Sequence, residues 1–230
     1  MIRGSIQQHV DAILLLSGGI DSTTALTLLQ AEGKRVACVT FDYGQTLIDE
    51  VTVARHNAAE AGADLLEVCL PFYKGGALVD GDGEIPTGRA VADIAGAGTP
   101  PTYVPFRNGV FLAWVLSLGE ALEVEEIVAG CNGLASGNYY DDTQEFGDAI
   151  EKAAAVGSAP SYRPTVRLPW ARMTKRDVVA KGIELGVDYA RTLSCYLPTA
   201  VGSHCGRCDS CAQRLAAFAP HNLNLHGRPS

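Results

Sequence analysis

The chain has 230 residues, 47% of them hydrophobic, and its Lys+Arg 18 against Asp+Glu 26 leave a formal net charge of -8. This suits one sizeable domain with a small appendage and excludes a disordered chain, while the acidic balance disfavours binding to nucleic acid, which depends on neutralising phosphates. No apolar run reaches membrane-spanning length, and residues 1–9 lack a signal peptide's hydrophobic region and cleavage site, so a cytoplasmic protein with no membrane partner is expected.

Runs rich in Val, Ile and Leu at 12–16, 36–41, 65–70, 126–129 and 165–168 alternate with helical patterns at 22–32, 48–61, 109–122, 143–156 and 174–185. The alternation predicts an α/β three-layer sandwich around a mostly parallel sheet. Gly33 and Gly186 follow the first and last helices, where a left-handed turn ends them. Residues 73–106 hold many Gly and Pro and no usable period, and read as a mobile active-site loop or lid. The main domain is expected over 1–190 and a small cysteine-bearing region over 191–230, with the ligand beyond the C-terminal ends of the strands.

The first strand stops at Ser17-Gly18-Gly19-Ile20-Asp21-Ser22. A hydroxyl and two glycines there leave backbone N–H groups aimed at one spot, at the positive end of the next helix, which is an anion cradle. It has no Lys of the G-x-x-x-x-G-K-[ST] type and is not G-x-G-x-x-G. Phe41-Asp42-Tyr43-Gly44-Gln45 places a carboxylate and two rings after the second strand, fit for a nucleobase pocket or a metal, or a plain strand end. In Tyr103-Val-Pro-Phe-Arg107-Asn108, Asn108 suits a helix N-cap and Arg107 is a fork-shaped donor for phosphate or carboxylate. Cys131 follows the fourth strand, as a nucleophile or as an apolar filler. Asp141, Asp142 and Glu145 are candidates to contact substrate or Mg²⁺, with Asp142 alternatively a helix cap. Thr174 and Asp177 can cap the next helix reciprocally, which leaves Lys175 in a first turn where the dipole disfavours a cation unless an anion lies near.

Cys195-x9-Cys205-Gly-Arg-Cys208-Asp-Ser-Cys211 suits a closed tetrahedral zinc site with a structural role. An iron–sulfur cluster and a C-x-x-C redox pair are the competing readings. His204 is expected to turn outward, and Cys38 and Cys69, in predicted strands, to be core.

The run Ser-Gly-Gly-x-Asp-Ser resembles the PP-loop of ATP pyrophosphatases. With Phe41-Asp-Tyr-Gly-Gln45, the Tyr-Val-Pro-x-Arg-Asn run ending at Asn108, Lys175, Ser194-Cys195-Tyr196 and Cys205-Gly-x-Cys-x-Ser-Cys211 in the same order, nearly the whole chain resembles the QueC family of 7-cyano-7-deazaguanine synthases. The resemblance implies conversion of 7-carboxy-7-deazaguanine, ATP and ammonia to the nitrile, by adenylation, amide formation and a second activation that permits dehydration. It implies nucleotide binding by Leu16, Ser17, Gly18, Gly19, Ile20, Asp21, Ser22, Phe41, Asp42, Tyr43, Arg107, Asn108 and Gly130, with Mg²⁺ on the phosphates. Catalytic roles fall to Ser17, Asp21, Arg107 and Lys175, structural zinc to Cys195, Cys205, Cys208 and Cys211, and a homodimer is expected.

Residues 133–146 depart from the family pattern, keeping only a Ser-Gly, a Tyr-x-Asp and a Glu-Phe. A relative that stops at the amide, or couples the activated acid to another amine, including one on a protein, is therefore the second expectation. A tRNA-thiolating enzyme would need a basic surface or an added RNA-binding domain. A non-catalytic nucleotide-binding module would release no pyrophosphate.

Overall fold

In the computed structural model, residues 1–7, 9–46, 49–95, 98–133, 139–197 and 203–230 are described. The central strands are buried along nearly their whole length rather than on alternate residues, as parallel strands covered on both faces must be. They are β2 (Ala12–Leu15) and β3 (Val36–Asp42). Around them lie β1 (Ile2–Ser5), β4 (Asp64–Cys69), β5 (Glu126–Ala129) and β6 (Thr165–Arg167), in the sheet order β1-β4-β3-β2-β5-β6. Only β1 runs antiparallel, against β4.

Neighbouring residues of one strand enter different cores, so the sheet is packed on both sides. Ile13, Val39 and Phe41 join Phe111, Leu112 and Val115 of α4 (Arg107–Leu122), with Phe146 of α5 (Gln144–Gly157) against them. Leu14, Leu16 and Cys38 join Leu26 and Leu29 of α1 (Ile20–Ala31) and Ala54 and Ala58 of α2 (Asp49–Glu60). Val178 of α6 (Lys175–Glu184) and Phe218 of α7 (Asp209–Phe218) complete that side. The chain winds outward from β2 through β3 to β4, then crosses to β5 on β2's other side. The loops after β2 and β5 thus splay apart at a topological switch point, where ligands of such sheets bind.

The expected strands and helices are all present, and Gly33 and Gly186 take φ of 78° and 81°. Two expectations are corrected. Cys69 is exposed at the end of β4 rather than core. The described part of 73–106, which includes α3 (Val91–Ala95), is expected over the active site but docks on the cysteine region: Thr87 bridges to Cys208, the Gly88 amide donates to the Arg207 carbonyl at 2.8 Å, and Arg89 pairs with Asp209. Ile85 packs on the cysteine cluster. An apolar side chain and a charge pair hold this segment on the cysteine region, and none of its described residues lines the cleft below. Among the described residues no helix is long and apolar enough to cross a membrane.

Candidate active site

The turn after β2 is built around Gly18, at φ 76°. A Cβ there would lie 2.7 Å from Val53 Cγ1 and 2.9 Å from the Ala54 amide nitrogen of α2. Left-handed strain of about 1–3 kcal/mol adds to overpacking against backbone. Gly18→Ala is therefore expected to lower the melting temperature by several degrees, read by thermal unfolding. Gly19 then caps α1 with no side-chain bond, so the first N–H groups of the helix stay available. The Ser17 amide donates to Ser22 Oγ at 3.2 Å and the two hydroxyls lie 3.1 Å apart, closing the cradle. Gly130, after β5, lets that strand approach α1, since a Cβ there would be 2.8 Å from the Ser22 nitrogen.

A cavity of about 280 Å³ opens on this loop. Lys175, first residue of α6, donates to Asp21 Oδ2 across it, and the Trp170 indole N–H donates to the Asp21 carbonyl at 2.9 Å. Asp21 Oδ1 is buried and has no hydrogen-bond partner among the described residues. Burial pushes the Asp21 carboxyl up, against the pull of Lys175. Beside Lys175, where an anionic ligand is expected, the protein places its own Asp21 carboxylate, and the capping box of Thr174 and Asp177 is formed.

The opposite wall is aromatic and charged. Gln45 clamps the turn after β3, donating to the Phe41 carbonyl at 3.1 Å and accepting from the Tyr43 amide at 2.8 Å. Phe41 stacks on Phe111 at 4.0 Å, and Tyr43 meets Phe111 edge-on at 5.5 Å. Arg107 Nη1 donates to the Tyr43 hydroxyl at 3.2 Å. Asn108 is not the N-cap of α4: Phe106, at φ 54°, takes that place, because Asp141 Oδ2 reaches over to accept from the Asn108 amide at 2.9 Å. Thr143, not Asp142, caps α5, its hydroxyl accepting from the Phe146 amide at 3.2 Å, while Asp142 lines the cavity and accepts from Asn108 Nδ2 at 3.5 Å. Glu145 is exposed on the outer side of α5 and contributes nothing to the cleft. Gly18 and Asp42 also stand outside it, Asp42 accepting instead from the Gly44 amide at 3.3 Å. Cys131 lines the cavity, but burial and Asp142 hold its thiol well above the ordinary range, so it is filler and no nucleophile at neutral pH. The divergent residues 134–138 lie outside the described residues.

Glu50, in the first turn of α2, faces the cavity and was not singled out by any motif. Burial pushes its carboxyl up to about 7, against the pull of Arg107. In the unfolded chain it ionises near its ordinary value of 4.5. Between these values the folded state keeps a proton that the unfolded state has lost, so Glu50 costs stability increasingly as pH rises, and in full above about 7. Glu50→Gln is expected to match wild type in melting temperature near pH 4 and to exceed it at pH 8. A constant offset across that range would exclude this origin.

The third wall comes from the cysteine region. The four Sγ atoms of Cys195, Cys205, Cys208 and Cys211 lie within 4.8 Å of one another, and Cys205 and Cys211 are 3.8 Å apart. A tetrahedron with arms of ~2.3 Å has edges of about 3.8 Å, so the thiols fit a metal ion of that bond length. Hydrogen bonds from the Cys208 and Cys211 thiols pull Cys195 down toward thiolate. His204 is not among these ligands, and it turns inward rather than outward, its Nε2 accepting from the Ser194 amide at 3.2 Å. Arg214, 1% exposed, spans the region: it donates to the Leu225 carbonyl at 2.7 Å, Thr192 Oγ1 at 2.8 Å, the Tyr189 carbonyl at 2.9 Å and Ser194 Oγ at 3.3 Å. These bonds hold residues 193–196 against the cradle, where the Leu193 amide donates to the Gly18 carbonyl at 3.0 Å.

The family model described as "Queuosine biosynthesis protein QueC" matches residues 11–222, which take in the cradle, the cavity walls and all four cysteines. The chain belongs to the QueC family. It is 40% identical over 214 residues to a 7-cyano-7-deazaguanine synthase of Geotalea daltonii, covering 90% of this chain and 91% of that one. It is also 40% identical over 217 residues to one of Geobacter metallireducens, covering 92% and 90%. Among solved structures, NMN synthetase from Francisella tularensis shares the fold at a TM-score of 0.51 and 13% identity, covering 93% of this chain and 78% of that one. The QueC match begins after β1, so the antiparallel edge strand lies outside it.

Proposed function

We propose that this chain is an ATP-dependent carbon–nitrogen ligase that converts 7-carboxy-7-deazaguanine and ammonia to 7-cyano-7-deazaguanine. The observation that carries the reading is the pairing of the cradle at 17–22 with Lys175 at the switch point of a QueC-family sheet. A carboxylate is a poor electrophile, and hydroxide a poor leaving group. Attack of the carboxylate oxygen on the α-phosphorus of ATP forms the acyl adenylate and expels pyrophosphate, and ammonia then displaces AMP to give the amide. Activation of the amide oxygen by a second ATP, with loss of AMP and protons, gives the nitrile. The N–H groups after Gly19 hold the departing pyrophosphate. Lys175 and Arg107 face the developing phosphate charge from opposite walls.

Asp21, whose Oδ1 is a buried oxygen acceptor without a partner among the described residues, fits Mg²⁺, and the ion when bound neutralises phosphate charge. The four cysteines fit zinc in a closed site with no open position for chemistry. Residues 191–230 then serve as a metal-braced wall of the nucleotide site. A homodimer and a cytoplasmic location belong to the same reading.

The test is mass spectrometry of the products from 7-carboxy-7-deazaguanine, ATP and ammonium, with pyrophosphate followed in parallel. Nitrile with two pyrophosphates per product is expected. Amide or a protein adduct as end product, or no pyrophosphate at all, would overturn the proposal.

A further inference from the structure

Half-buried carboxylates with no partner are costly unless a ligand supplies one. Glu50 is such a group. Its side chain faces the cavity, and no described residue forms a hydrogen bond or ion pair with it. Arg107, the nearest strong cation, is directed elsewhere, to the Tyr43 hydroxyl at 3.2 Å and to Asn108 Oδ1 at 3.4 Å. The cavity therefore has two poles. At one, Asp21 answers to Lys175 beside the phosphate cradle; at the other, Glu50 shares the field of Arg107 with Tyr43 and Tyr196.

We infer that Glu50 reads the paired N1–H and 2-amino donors of the 7-deazaguanine ring and so decides which heterocyclic acid is activated. The inference rests on the proposed function and adds a specificity residue to it. Two heterocycles must share this cavity, and their edges differ. Paired N–H donors draw Glu50 into its ionised form, in which it only accepts. A 2-amino-oxopyrimidine edge offers two adjacent N–H donors that meet both carboxylate oxygens, the bidentate match that is strongest between a charged acceptor and paired donors. Adenine places a lone pair, N1, next to its amine and would set that lone pair against the carboxylate. The adenine of ATP is therefore turned away from Glu50, toward the apolar strand ends at Leu16, Val39 and Ala129. The ring beside Glu50 gains a flat support from Tyr43, which Phe111 and the Gln45 clamp hold in place. A 2-desamino acid would satisfy one oxygen and leave the other buried and unpaired.

The experiment compares wild type with Glu50→Gln and Glu50→Asp, using 7-carboxy-7-deazaguanine, its 2-desamino counterpart and ATP. Calorimetry gives ATP affinity and pyrophosphate release gives kcat/KM. Wild type is expected to prefer the 2-amino acid by about 10- to 100-fold. In Glu50→Gln that preference should fall to within about threefold while ATP affinity holds, and Glu50→Asp should keep part of it; a group that merely supports the fold would not change the ratio of two substrates. Undiminished preference in Glu50→Gln overturns the inference and leaves the ligase reading standing. A parallel loss of ATP affinity also overturns it, by assigning Glu50 to the nucleotide. A wild-type protein that releases no pyrophosphate with either acid overturns the proposed function, and this inference with it.

Discussion

Lys175→Ala is expected to lower kcat/KM for pyrophosphate release about 10²- to 10³-fold, the usual loss when one preorganised charge is removed from a water-poor site. Lys175 sits at the positive end of α6, where a cation is disfavoured, and the capping box of Thr174 and Asp177 holds it there. What it faces in this structure is Asp21, and in the proposed function the phosphates of ATP as well. The substitution acts twice, since it removes a cation from the transferring phosphates and removes the charge that opposes the upward push of burial on Asp21. A protonated Asp21 would be a poor metal ligand, so the variant's ATP turnover should also demand more Mg²⁺. Lys175→Arg keeps the charge and is expected to recover part of the rate. Unchanged pyrophosphate release in Lys175→Ala, with the protein folded by circular dichroism, would falsify the assignment.

With the four cysteines holding structural zinc as proposed, removing it with a strong chelator is expected to weaken ATP binding at least about tenfold, besides lowering the melting temperature, because such a metal supplies folding energy outright. Few bonds separate the cysteines from the cradle. The Cys205 amide donates to Cys195 Sγ at 3.4 Å, and the Tyr196 amide to Cys208 Sγ at 3.5 Å. Two residues before Cys195, Leu193 bonds to Gly18, and a Cβ on Gly19 would meet the Leu193 carbonyl oxygen at 3.6 Å. Loss of the metal is expected to leave residues 193–196 held chiefly by the Arg214 and Gly18 bonds and so to loosen one wall of the cavity. Calorimetric titration of ATP into metal-loaded, stripped and reloaded protein reads this directly. Stripped protein that melts lower yet binds ATP as before would confine the metal to global stability.

The parts of the site that were legible in the sequence are those whose chemistry is local. Ser17–Ser22 declares itself because a hydroxyl, two glycines and a carboxylate interrupt an apolar run, and the cysteines because x2 spacings are rare by chance. The sheet was legible because buried parallel strands read as unbroken Val, Ile and Leu. What escaped depends on tertiary placement. Glu50 stands in a helix's first turn, where an acid is ordinary for dipole reasons, and only the docking of α2 turns it into the cavity. Arg214 lies on an amphipathic helix and reads as a surface residue, yet it is buried over Phe218 at 4.4 Å. The cap on Asn108 comes from Asp141, 33 residues on, and no local pattern announces it. β1 is four residues long and exposed throughout, so it carries no burial period.

The wall formed by Leu193 to Tyr196 belongs to the nucleotide cavity and to the cysteine cluster at once. Linkage then runs both ways: whatever factor the metal adds to ATP affinity, ATP must add to metal affinity. If the chelator prediction holds, protein without ATP is expected to hold its metal more weakly at equilibrium than protein saturated with ATP. Chelator titrations with and without ATP would read that coupling from the metal's side.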